Sequence, residues 1–306
     1  RHWFDADTDA CVAYVDTGGT WVAAGGPLCA LAQRARAAER FAAAARAPGR
    51  SACFFGVEHP AELGGDFAAA LLGEQAEIDP ARWAQTLARH RRLREQLRRS
   101  RAKGVRVRRV DHAELAVGTA LRDQVDALAA GWLLSRHLEP MQFLVAVEPH
   151  EHARDRRYYV AEHGGRVVAF TWLVPIPARR GWLVEHTVRG EGDATPPNGT
   201  TELLLDTAIR DAGPGSVVSL GLAPLSGPVP RALRAARAIT SPLYDFGSLR
   251  AFKERLHPDR WEPVWLVHPR RRAVRSVVDA LRAFAGGALV AFAARSLLRP
   301  PSGPPW

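Results

Sequence analysis

Before and after residue 110 the hydrophobic pattern runs through the same loose order of strand pair, helix, strand, helix, strand. That alternation restricts the fold more than any other feature. Helices interleaved with short strands bury their apolar stripes on a sheet, which is the α/β solution. In the first round, ACVAYV (10–15) and TWVAA (20–24) read as strands around the turn Asp16-Thr17-Gly18-Gly19. A helix over 31–47 ends at Pro48-Gly49, and a strand follows at 51–57. A short helix is expected near 61–72, and then GEQAEI at 73–78. In the second round a helix covers 111–135. Strands are expected at 157–162, 166–174 and 181–188, with a hairpin turn at His163-Gly164-Gly165. A helix over 198–212, a strand at 217–222, helices at 229–238 and 247–256 and a strand at 261–267 complete it. The expected organisation is two α/β halves, 1–110 and 111–270, each a central mixed sheet flanked by helices, plus a helical tail, 271–306.

Asp79-Pro80 is a helix start, and that helix should run to Lys103 before Gly104. Trp83, Leu87, Leu93 and Leu97 share a stripe about 120° wide, and His90, Arg94 and Arg101 fall inside it. Cations on an apolar face must snorkel, pair or point into a site. Arg92 and Arg99 face the other way. Residues 89–109 hold eleven Arg/Lys and one acid, a net +10 that equals the formal charge of the whole chain. The rest is close to neutral, so the basic character is focused. A focused basic element points to a polyanion, either nucleic acid or an anionic membrane surface.

An apolar share of 47 % rules out a disordered chain. Cys11, Cys29 and Cys53 form no CxxC pair, which argues against a disulfide framework or a zinc site and for a reducing cytoplasm. The chain starts at Arg1, so an upstream anchor stays open. In the tail, Val274, Val278, Leu281 and Phe284 share a face, and Gly286-Gly287 breaks the helix. Its apolar stretch 283–294 is too short to span a bilayer. Packing on its own domain, packing on a second subunit or lying on a membrane surface all fit. His150-Glu151-His152 lacks a third ligand at sensible spacing and reads as a loop, so no metal is expected.

Three segments carry chemistry. The first, 181–208, ends a strand with Glu185, His186 and Arg189, then reaches a helix start at Asn198-Gly199 with Glu202 inside the helix. An acid, an imidazole and a guanidinium facing a helix N-terminus can bind a charged substrate and move a proton. Strand alternation puts Glu185 and His186 on opposite faces unless a bulge re-aims one of them. The second, SLGLAPLSG (219–227), is a buried strand ending in a small-residue loop of the kind that lines a cleft. The third, 243–267, places Tyr244 and Asp245 before a helix carrying Arg250 and Lys253, three apart on one face and able to hold a carboxylate or phosphate.

Together "EHTVR…PNGTTELL", "LGLAPLSG" and "YDFGSLRAFKERLHPDRWEPVWLVHP" resemble the C-terminal domain of phosphatidylglycerol lysyltransferases and their soluble relatives. The basic helix "RHRRLREQLRRSRAKG" has the same look. The resemblance implies two GNAT-like (acyl-CoA N-acyltransferase-like) subdomains. It also implies transfer of an amino acid from aminoacyl-tRNA to a hydroxyl of a phospholipid such as phosphatidylglycerol. Aminoacyl-tRNA would be the co-substrate, with no further cofactor, and the work would be done at the inner face of the cell membrane. Glu185 or His186 would then be base or amine ligand, and Arg189 an anion-binding partner. Asn198, Gly199, Glu202, Tyr244 and Asp245 would form the substrate wall. Arg250 and Lys253 would take the lipid phosphate, and Arg91, Arg92, Arg94, Arg98, Arg99 and Arg101 the tRNA or lipid phosphates. In one respect the chain departs from the family: His186 stands where an acid usually precedes the Arg by three.

Three other readings compete. Residues 189–194 match the R-x-x-G-x-A pyrophosphate loop of acetyl-CoA-dependent N-acetyltransferases. Against that, Thr195-Pro196-Pro197 separates the loop from its helix, and Glu191 and Asp193 put negative charge where phosphates would lie. A peptidoglycan aminoacyltransferase and a non-catalytic lipid- or RNA-binding relative are the other two.

Overall fold

A computed structural model describes residues 1–136, 141–224, 226 and 246–298. The first part of the chain supplies β1 (His2–Asp5), β2 (Ala10–Asp16), β3 (Thr20–Ala24), β4 (Ser51–Val57) and β5 (Phe67–Ile78). Then come β6 (Arg106–Val110), β7 (Arg157–His163), β8 (Arg166–Ile176), β9 (Gly181–Arg189), β10 (Val218–Pro224) and β11 (Arg260–Pro269). Among the described residues these form one sheet in the order β1-β2-β3-β4-β11-β5-β10-β9-β8-β7-β6. The sheet is mixed: β3–β4 and β9–β10 are parallel, the other pairs antiparallel. The two halves of the chain meet where β5 lies beside β10. Two strands lie in the part of the sheet built by the other half of the chain: β11 inserts between β4 and β5, and β6 pairs with β7 at the far edge.

The helix expected at 61–72 is not there. A short 3-10 turn over Pro60–Leu63 ends at Gly64 and Gly65, at φ of 53° and 64°, and the chain then runs extended. β5 pairs with β11 from Phe67↔Pro269 to Glu77↔Arg260. A long ladder on two sides outweighs the weak helical preference of an Ala-rich run.

α1 (Arg34–Arg46) packs Ala38, Phe41 and Ala45 on Val12, Tyr14 and Phe54. The single helix expected from 80 to 103 is two, α2 (Trp83–Arg89) and α3 (Arg91–Ala102), broken at His90 with ψ of 86°. The His90 ring stacks on that of His257, 3.4 Å between centroids. The stripe Trp83, Leu87, Leu93 and Leu97 is buried as its spacing predicts. α5 (Thr200–Ala212) packs beside it over Tyr159 and Ala161. The alternate residues Tyr158 and Val160 face the opposite way, under α4 (Ala120–Leu134). α4 starts later than the predicted 111, because a capped 3-10 turn at His112–Leu115 and Gly118 at φ 87° precede it.

α6 (Phe246–Arg255), α7 (Ala273–Phe284) and α8 (Leu289–Leu298) complete the described helices, with the break between the last two at Gly286-Gly287. The helix expected at 229–238 lies outside the described residues. No helix among the described residues is long and apolar enough to cross a membrane.

Candidate active site

Glu185 and His186 reach the same indole. In the β8–β9 ladder Trp172 pairs with His186 and Leu173 with Val184, so Glu185 is the extra residue of a β-bulge. Trp172 donates its Nε1–H to Glu185 Oε2, and the His186 ring lies 5.1 Å from the Trp172 ring. Arg156 Nη2 approaches Glu185 Oε2 at 3.4 Å. His186 Nε2 is 3.2 Å from the carbonyl oxygen of Ala146, and burial pulls the imidazole below its ordinary value, favouring the neutral ring. Glu148 is pushed up by its hydrogen bond with Glu151 and by the negative charges of Glu151 and Glu185. The result is an acid-rich corner around one arginine. Arg189 is not part of it. It pairs with Ala169, whose side chain belongs to the core under α5, so it projects from the other face of the sheet.

A second constellation forms where β9 and β10 part. These strands pair only at Trp182↔Val218 and Leu183↔Ser219. Just beyond, Gly221 at φ 74° bends β10. The carbonyls of Gly221 and Leu222 each accept a hydrogen bond from Lys253 Nζ, both at 2.8 Å. Lys253 comes from α6 and is 5 % exposed. No carboxylate compensates it among the described residues, and burial pulls its ammonium down to about 7. That places a titrating amine in a gap of the sheet. Arg250 does not share the gap: it binds Glu74 at 2.6 Å and Glu254 at 2.8 Å and stacks over Trp261. The expected joint phosphate clamp of Arg250 and Lys253 is therefore not what the structure builds. Tyr244 and Asp245 lie outside the described residues.

The geometry weakens the pyrophosphate-loop reading of 189–194, because such a loop needs free amides and some of them are used internally. Gly190 N–H bonds Val168 O, Ala194 N–H bonds Glu191 O and Thr195 N–H bonds Gly192 O. Glu191 accepts from Ser135 Oγ at 2.7 Å. The start of α5 is closed as well. A β carbon at Gly199 would lie 2.9 Å from the backbone oxygen of Gln96 in α3, so the basic helix sits directly on it. Asn198 is exposed beside that contact, while Glu202 is buried in the first turn, where a carboxylate suits the helix dipole.

Most arginines of α3 have structural partners. Arg94 caps α2 through the carbonyls of Leu87 and Ala88. Arg101 binds buried Asp206 at 2.6 Å, which also accepts from Trp83 Nε1 and Arg210. These are the two cations that the spacing placed on the apolar stripe, and both are paired. Arg98 and Arg99 share Glu95, whose carboxyl they hold down at about 2. Arg91 and Arg92 are exposed and make no ion pair among the described residues. His150 is held by Asp126 at 2.6 Å, and no cluster of three or more potential metal ligands occurs among the described residues.

The family described as "Phosphatidylglycerol lysyltransferase, C-terminal" matches residues 1–268. The chain belongs to this family. Solved structures agree on the fold. A C-terminal domain of a putative lysylphosphatidylglycerol synthetase from Agrobacterium fabrum superposes with TM-score 0.78 at 24 % identity, over 94 % of this chain and 90 % of that one. L-PGS from Bacillus licheniformis gives 0.76 at 19 %, over 97 % and 90 %. FemX gives 0.52 at 9 %, over 88 % and 86 %. No curated protein sequence matches.

Within the phosphatidylglycerol lysyltransferase fold, the sequence singled out Glu185, His186 and Lys253 as candidates but not what surrounds them. Trp172 and Arg156 carried no signal, being one apolar strand residue and one loop arginine. Lys253 was legible only as a helix-face cation. Its burial depends on α6 lying over the bent β10.

Proposed function

We propose that the chain transfers an amino acid from aminoacyl-tRNA to a hydroxyl of a phospholipid such as phosphatidylglycerol. The observation that carries this reading is Lys253, a buried amine near 7 in the gap between β9 and β10. An aminoacyl ester is already activated, so the reaction needs one general base and one stabiliser of the oxyanion. The neutral Lys253 amine takes the proton of the attacking lipid hydroxyl as the new ester bond forms. The bond to the ribose oxygen of tRNA breaks, and the proton passes to that oxygen. The carbonyls of Gly221 and Leu222 aim Nζ throughout.

Glu185, Glu148 and Glu151 form the acid-rich corner suited to a cationic aminoacyl group, with His186 neutral beside them. Arg91 and Arg92, whose side chains carry no ion pair among the described residues, serve the tRNA backbone, a contact that weakens as salt rises. The acetyl-CoA reading loses support because the amides of Gly190 and Ala194 are occupied and Thr195-Pro196-Pro197 separates the loop from its helix.

The test uses the purified chain, radioactive lysyl-tRNA and detergent-dispersed phosphatidylglycerol. Label should enter the lipid, and it should disappear with RNase-treated donor and with Lys253→Met. Labelling that survives either change sinks this mechanism.

A further inference from the structure

α7 packs on its domain by a mixed polar and apolar side, in which Asp279 is fully buried and Ser276 is 1 % exposed. Asp279 accepts from Thr20 Oγ1 at 2.7 Å and from Arg282 at 2.9 Å, and Arg275 reaches it at 3.7 Å. Val277, Ala280 and Ala283 add apolar inward contact with Val22, Cys53 and Leu266, and Phe284 packs on Phe55 and Phe143. The outward side is apolar: Val274 is 78 % and Leu281 44 % exposed, with half-buried Val278 between them. At 100° per residue these three share one narrow stripe, opposite Ser276, Asp279 and Ala283.

Arginines border that stripe. Residues 270–282 hold Arg270, Arg271, Arg272, Arg275 and Arg282 against the single acid Asp279, a net +4. Asp279 faces inward and engages Arg275 and Arg282, and Arg270 pairs with exposed Asp66 at 2.8 Å, so Arg271 and Arg272, which make no ion pair among the described residues, supply the positive charge beside the apolar stripe. A protein partner would need a matching acidic groove. A bilayer with anionic lipid meets both demands at once, with acyl chains for the valines and phosphates for the guanidinium groups. Geometry fixes the depth of insertion, because α7 is pinned by Asp279 to Thr20 on β3 and lies flat on the sheet.

We infer that α7 is a membrane-docking helix that lays Val274, Val278 and Leu281 into the surface of an anionic bilayer, with its arginines at the phosphate level. The inference deepens the lipid-directed reading by naming the element that brings the domain to its acceptor.

The test is flotation of the purified chain with phosphatidylcholine vesicles, with and without phosphatidylglycerol. Binding should require phosphatidylglycerol and weaken with salt. Val274→Asp with Leu281→Asp should lower binding at least about ten-fold, and Arg271→Glu should lower it about five-fold. Val117→Asp removes an apolar side chain that is 89 % exposed, in the turn before α4, and should bind as the unaltered chain does. All variants should keep the unfolding temperature, since the altered side chains face solvent. Unchanged binding by the α7 double variant overturns the proposal. So does an equal loss from Val117→Asp, or a dimer in sedimentation that Val274→Asp dissolves. Transfer to detergent-dispersed phosphatidylglycerol separates the two claims, because the double variant should retain it if only docking is lost.

Discussion

α3 and α7 read alike in sequence, each a short helix with an apolar stripe and several arginines, yet they face opposite ways. In α3 the leucines point inward and the arginines rim the helix. Arg94 and Arg101 fold back onto carbonyls and Asp206. In α7 an aspartate points inward while Val274 and Leu281 look out. Period and composition tell which residues share a side of a helix. They do not tell which side the rest of the chain will cover. For α3 the sheet residues Tyr159 and Ala161 and the helix α5 offer a deep apolar bed. For α7 the bed is mixed, with Leu266, Phe55 and Phe143 beside a buried hydrogen bond from Thr20 to Asp279.

The comparison breaks most sharply at matched leucines. Leu97→Ala should cost about 2–5 kcal/mol of stability through the cavity it leaves, while Leu281→Ala should stay within about 0.5 kcal/mol. Similar urea midpoint shifts for the two would show that the helices are not oppositely oriented. Next in size, Asp279→Ala leaves the Thr20 hydroxyl and two arginines without their acceptor. A loss of about 1–3 kcal/mol in chemical denaturation is expected. No loss would mean that α7 is held by its apolar contacts alone.

Lys253 sharpens the contrast from a third helix, α6, whose inward cation has no counter-charge among the described residues. Burial holds its folded value at about 7, below the ordinary lysine value of 10.5. Between those values the unfolded chain binds a proton that the folded chain does not. Stability from this group therefore rises with pH from about 7 to 10.5, and the cost of charging it is fully present below 7. Lys253→Met should flatten that rise, measured as thermal midpoint against pH. A rise that persists in the variant would assign it elsewhere. The smallest effect on stability is expected for Arg91→Glu with Arg92→Glu, within about 0.5 kcal/mol. Its effect should appear in tRNA binding, where the slope of log affinity against log salt should fall by about 0.7–0.9 for each phosphate contact removed. An unchanged slope would leave α3 a purely structural helix.

The site was legible in part. An acid and an imidazole at the end of a strand were visible, and so was the rule that strand alternation separates them. The bulge at Glu185 resolves that conflict, but bulges are decided by the pairing strand. Nothing in GWLVEHTVR says that Trp172 will be opposite. Arg189 shows the converse: three residues from His186 it looked like one cluster, and the pleat sends it to the other face. The run FAAALLGEQAEI misled for a related reason. Its alanines favour a helix when alone, and only partners on both sides, β10 and β11, make it a strand.

The sequence by itself determined the α/β class, the family, the boundaries of most strands and the buried stripe of α3, because these rest on local periodicity and on long ordered motifs. The tertiary structure alone decided the rest. It placed β11 between strands far away in sequence, buried Lys253 in the gap beside Gly221 and turned Val274 and Leu281 of α7 outward. Each of those depends on contacts between residues far apart in the chain, and no local pattern encodes which distant partner will arrive.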